Sequence, residues 1–225
     1  MVGTLLLEQL TASPMRAGLW LALSFLLAGI ATAITRTTAP DLERLVRVVR
    51  WVQVPYIGLI LGGLSPRLMG LSEFDWSSGF SVGVVALAGL LVLLFLVRIW
   101  LQMSAEVPNP NASIGRFSSL SLIESSAQEF HWCFLRGAVW DLLISLASPT
   151  VSPHYWAVWI GAAIALPGIY ISSKSLSDRL MTTLVLVTTS SVFFFTRSFW
   201  LCCFLHLGLQ VVLHWHHQPI RQGAT

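Results

Sequence analysis

From Leu90 to Val97 every residue is apolar, and the surrounding stretch, Gly79 to Leu101, holds a single charge, Arg98. Such a stretch is long enough to cross a bilayer as a helix. It is the least ambiguous of seven. The others run roughly from Gly18 to Ile34, Val48 to Leu64, Leu122 to Ala147, Tyr155 to Ile171, Leu180 to Phe195 and Phe199 to Leu213. Only 10% of the residues are charged and mean hydropathy is +0.75. A soluble domain carries about 25% charged residues, so this chain lacks the charge to dress a soluble surface. Ten Trp residues suit the amphipathic belts at headgroup level. The expected fold is all-α: a polytopic transmembrane helix bundle of about seven spans, with residues 1–225 forming a single integral membrane domain.

The flanks of the spans add detail. Ala31-Thr32-Ala33 looks like a small-residue cleavage site. The segment before it is long, carries Glu8 and lacks a basic start, so the first span reads as an anchor rather than a removed signal. The approach to the second span, Asp41 to Arg50, places Leu42, Leu45, Val46 and Val49 on one helical face. Thr38 and Asp41 make a capping-box pattern there. Pro55 lies inside the second span, Pro108-Asn109-Pro110-Asn111 is turn chemistry, and Pro167-Gly168 lies near the end of the fifth span. There is no internal repeat and no low-complexity tract.

Twelve of the thirteen basic residues are Arg, scattered singly, which argues against nucleic acid. With the N-terminus outside, Arg36, Arg44, Arg47, Arg50, Arg98, Arg116, Lys174, Arg179 and Arg221 fall inside. Arg16, Arg67 and Arg197 fall outside, and the bias puts the C-terminus inside. The three cysteines, Cys133, Cys202 and Cys203, are odd in number and sit in apolar segments, so they read as small filler rather than as a disulfide framework.

Chemistry concentrates on two spans. The fourth is the most polar, with Glu124, Glu129, His131, Arg136 and Asp141. At 100° per residue Glu129, Trp132, Cys133 and Arg136 share one face, and His131 sits off it. Glu129 and Arg136 are two turns apart, roughly 10 Å along the axis, too far for an i,i+4 pair but able to point into one cavity. Competing readings are plain: Ser121-x-x-Glu124 and Ser126-x-x-Glu129 are both capping-box patterns, and Arg136 could pair with Asp141 or with a neighbouring helix. On the seventh span Cys202, His206, Gln210 and His214 recur every four residues, with His206 and Gln210 deepest. A lone His there is more often a packing residue, whereas a polar pair at i,i+4 raises the case for a site. His214, His216 and His217 read as solvated.

Gln128-Glu129-Phe130-His131-Trp132-Cys133-Phe134-Leu135-Arg136-Gly137 resembles the Glu-Glu-x-x-x-Arg-Gly motif of the CPBP family, the CAAX prenyl endopeptidases and bacteriocin-processing intramembrane proteases. Phe195-Thr196-Arg197-Ser198-Phe199-Trp200 followed by His206-Leu207-Gly208-Leu209-Gln210 resembles that family's final hairpin and His-x-x-x-Asn motif, with Gln in place of Asn. The similarity makes residues 122–213 a CPBP-like core. It implies catalytic positions at Glu129 as base, Arg136 as organiser, and His206 with Gln210 binding water or oxyanion. The departures are specific. Glu129 stands seven residues before Arg136, where the family's pair stands four and five before; His131 and Trp132 occupy those places. The middle His motif should fall between about Trp159 and Ser172, which contains no His, and His154 is too early.

The leading reading is therefore a divergent, non-catalytic CPBP-like protein serving as scaffold or assembly subunit of a membrane complex. An active glutamate-dependent intramembrane protease is the alternative, and a pigment- or metal-binding subunit the next, because the His ladder of the seventh span could ligate a metal or tetrapyrrole. No particular cofactor is specified. A transporter would often show an internal repeat. Expected partners are membrane lipid and either a membrane-protein partner or a peptide substrate. The Gln128-to-Trp132 wording is similar to that of cyanobacterial members, which implies a bacterial inner membrane or a thylakoid.

Overall fold

The computed structural model describes residues 13–35, 40–72, 80–86, 88–90, 92, 96, 99, 119–146, 152–173 and 175–215. Among the described residues there is no strand. The helices are α1 (Ser13–Thr35), α2 (Pro40–Ile60), α3 (Phe80–Leu90), α4 (Ser119–Leu146), α5 (Pro153–Ser172), α6 (Leu176–Thr196) and α7 (Phe199–Trp215). All seven apolar segments contain helix. The third is described in part; Thr38, the Pro108–Asn111 turn, His216 and His217 lie outside the described residues.

Three of these helices are long and apolar enough to cross a membrane: Arg16–Ala33 in α1, Pro153–Ser172 in α5 and Asp178–Thr196 in α6. Seven such spans were expected. The difference has two causes. α3 and the Phe199–Gln210 part of α7 are apolar but shorter over their described lengths. α2 and α4 carry charge, Glu43, Arg44, Arg47 and Arg50 on one and Glu124, Glu129, Arg136 and Asp141 on the other. The outer faces are nevertheless apolar: Leu19, Phe25, Leu26 and Ile30 of α1, Trp156, Ile160 and Ile171 of α5, and Phe204 of α7 are all exposed. A helix of a soluble globule carries polar side chains there.

α4 is the central helix. It packs against α1, α2, α5 and α7, and Trp132 through Val139 are buried without interruption. α5 meets it with a stripe of small residues, Ala157, Gly161 and Ala165, spaced four apart and buried, which lets two backbones approach closely.

The chain alternates between two ends. At one, α2 meets the start of α4: Arg47 Nη1 donates to Glu124 Oε1 at 2.9 Å and Nη2 to Glu43 Oε1 at 2.6 Å. Glu124 is thus an inter-helix partner rather than a cap. Nor does Ser126 cap: its hydroxyl donates to the Leu122 carbonyl at 2.9 Å, inside the helix. At the other end His154 is buried between Trp140 of α4 and Phe194 of α6, with ring centroids 4.5 and 5.3 Å away.

Between α2 and α3 the chain turns back into the bundle. α2 stops at Ile60, before the expected Leu64, because Gly62 takes φ +70 and Gly63 N–H donates to Gly58 O at 2.9 Å. Leu64, Met69 and Gly70 are buried. Met69 lies over Gly137 of α4, where an added Cβ would be 2.8 Å from Met69 Cγ. The Gly70 carbonyl accepts from Phe199 N–H at 2.9 Å, which ties the loop to the first turn of α7.

Candidate functional site

α4, α6 and α7 enclose a polar centre. Glu129, Cys133 and Arg136 share one face of α4, as their spacing requires. Thr189 and Ser190 come from α6, and Cys202 and His206 from α7. Each of these seven side chains is at most 1% exposed.

Glu129 and Arg136 stand seven residues apart, beyond an i,i+4 pair, and both point into this centre, where they meet directly. The guanidinium reaches back along α4, the direction in which helical side chains lean, and Nη1 donates to Glu129 Oε1 at 3.1 Å. Nη1 also lies 3.6 Å from Cys133 Sγ. Nη2 donates to Thr189 Oγ1 at 3.1 Å and Ser190 Oγ at 3.2 Å. Phe193 lies under the guanidinium, 5.3 Å from ring centroid to Cζ. Asp141 is not among these partners. The other carboxylate oxygen, Oε2, is 3.2 Å from His206 Nδ1. With Glu129 ionised, Nδ1–H is the donor. The imidazole stacks on Trp132 at 5.3 Å with 14° between the planes, and Cys202 Sγ donates to the Thr189 carbonyl at 3.3 Å.

Three of the four sequence candidates, Glu129, Arg136 and His206, are therefore brought together. The fourth, Gln210, is half-buried one turn further along α7, and none of the hydrogen bonds that join the other three includes it. His154 does not stand in for a second His. Its neighbour Trp140 is eleven residues beyond Glu129, roughly 16 Å along the axis of α4. Thr189 and Ser190 were missed, although Thr188-Thr189-Ser190-Ser191 interrupts an apolar helix and marks a polar face there. Cys133 is more than filler, since it touches both ionic partners, and all three cysteines are free thiols. Among the described residues no group of three or more His, Cys, Asp and Glu side chains is arranged to hold a metal ion.

The chemistry open to this centre follows from its occupancy. A buried carboxylate and a buried guanidinium neutralise each other, and neutral hydroxyls take the remaining Nη2 donors. A base that activates water needs a free lone pair facing that water. Here Oε1 accepts from Arg136 and Oε2 from His206; each oxygen keeps a second lone pair, but the carboxylate is 0% exposed and meets no bulk water.

Close packing holds the guanidinium in place. A Cβ on Gly161 would lie 3.0 to 3.1 Å from the Cα, Cγ and N of Arg136. Gly161→Val is expected to destabilise by about 1–3 kcal/mol through overpacking. Gly168→Ala on the same helix, where a Cβ meets nothing within 4 Å, should gain up to about 1 kcal/mol in helix propensity. Denaturant midpoints of the two variants in detergent micelles check the pair of signs.

Compared with family models, curated proteins and solved structures, the chain matches none of them.

Proposed function

We propose that this chain is a non-catalytic integral membrane protein of about seven spans, similar to the CPBP family in residues 122–213. In this reading its Glu129–Arg136–His206 cluster locks the bundle, and the protein serves as scaffold or assembly subunit for a membrane-protein partner. The observation that carries the reading is the state of Glu129, 0% exposed with both oxygens engaged by protein groups. The same reading places the C-terminus inside, in a bacterial inner membrane or a thylakoid. That reading needs the Arg67-bearing loop and the Arg197 corner at one end of the bundle, and the two do meet.

The active-protease alternative draws on one contact, the 3.2 Å approach of His206 to Glu129, the arrangement a His-assisted carboxylate base requires. A cleavage assay separates the two. Purified protein in lipid nanodiscs is expected to leave a panel of transmembrane and prenylated peptides intact while remaining folded and monodisperse. Cleavage by the parent chain that disappears in both Glu129→Gln and His206→Ala would establish the protease and place its base on Glu129.

A further inference from the structure

A second feature, a cavity, is separate from the ionic centre. It measures about 860 Å³ and lies between α1, α2, α4 and α5, at the end where Arg47 bridges Glu43 and Glu124. Trp132 is the wall between the two: one face of its indole stacks on His206, and the residue also lines the cavity. The volume is within the range of about 300–1,000 Å³ typical of small-molecule sites.

The lining is divided by chemistry. Arg50, His131 and Gln128 stand at one part, and Phe25, Ala28 and Ile164 at another. Arg47 and Glu43 also reach the cavity, but they are paired with each other at 2.6 Å. Among the described residues Arg50 has no such partner. Its contact is with the Trp51 ring at 5.9 Å, and the charge that acts on it most strongly is Arg47, a like charge. His131, in turn, has Arg50 as its principal charged neighbour, and its Nδ1 has no hydrogen-bond partner. A cation without a counter-charge among the described residues, beside an unsatisfied imidazole and above an apolar chamber, is complementary to an anionic group on an apolar tail.

We propose that this cavity binds one anionic phospholipid, its phosphate held by Arg50 and His131 and one of its two acyl chains lying along Phe25, Ala28 and Ile164. The inference rests on the membrane reading above but not on whether the ionic centre is catalytic.

Two glycines offer a way to fill the chamber without breaking the fold. Gly29 and Gly168 both line it, and a Cβ on either meets nothing within 4 Å. The delipidated full chain in detergent is titrated with phosphatidylglycerol, with phosphatidylcholine of the same acyl chains, and with inorganic phosphate, and bound species are read by native mass spectrometry. One phosphatidylglycerol should bind with roughly tenfold preference over phosphatidylcholine, whose phosphate is the same but whose choline cation brings a like charge to Arg50. Arg50→Gln should abolish that preference, Gly168→Leu should abolish the bound lipid, and Arg44→Gln, exposed on the same helix, should change neither. Equal retention of the two lipids, or a preference that survives Arg50→Gln, overturns the site. Inorganic phosphate that binds as tightly as the lipid overturns the role of the tail. A chain that binds neither lipid and stays monodisperse without detergent overturns the membrane reading itself.

Discussion

Arg136→Met is expected to lower the unfolding free energy by about 3–5 kcal/mol, the usual result of removing one partner from a buried ion pair. The variant fills a similar volume but leaves Glu129, 0% exposed, with its charge uncompensated. It also frees Thr189 and Ser190 of α6 from the charged donor that tethers them to α4. Glu129→Leu should cost a comparable amount by stranding the guanidinium. The pair at the rim makes the contrast. Arg47 bridges Glu43 and Glu124 at similar distances, 2.6 and 2.9 Å, but its side chain is 21% exposed, and Arg47→Met should cost only about 0–1 kcal/mol. Unfolding in mixed micelles, followed by tryptophan fluorescence, ranks the three variants.

Gly70→Ala is expected to cost about 2–5 kcal/mol, from two sources. Gly70 adopts φ +73, a left-handed conformation that costs an L-residue about 1–2 kcal/mol. In addition, a Cβ there would lie 2.5 Å from the Arg197 carbonyl oxygen and 2.8 Å from Phe199 N. These are backbone atoms of the α6–α7 corner, which cannot swing aside, and relieving such an overlap typically costs about 1–3 kcal/mol. Gly62 separates the two contributions. It has φ +70, but a Cβ there meets nothing within 4 Å. Gly62→Ala should therefore lose only the conformational part. Equal losses at the two positions would mean that the loop is not docked on the corner.

The helices were readable because apolar length is a local property: each of the seven segments could be found without knowing its neighbours. Membrane-crossing was harder to read for α2 and α4, since whether a charged helix can lie in an apolar bundle depends on partners elsewhere in the chain. Glu124 shows this. Its local pattern with Ser121 suggested a cap, but its partner is Arg47, seventy-seven positions earlier. Glu129, Arg136 and His206 could be picked out because ionisable residues inside apolar helices are rare and need a reason. Their direct contact could not be read from axial spacing, which ignores the reach of a guanidinium along its own helix. Met69 and Gly70 left no trace beyond a glycine in a loop, because burial of a loop depends on which helices it meets.

The most direct test of the structural role of this centre is the thermodynamic cycle formed by Glu129→Leu, Arg136→Met and the double variant. If the pair is a lock whose charges exist for each other, the double variant should be far more stable than the sum of the single losses predicts, and close to or above either single variant. Additive losses would contradict the account, because they would mean that Glu129 and Arg136 contribute independently and that their 3.1 Å contact does not hold α4 against α6 and α7.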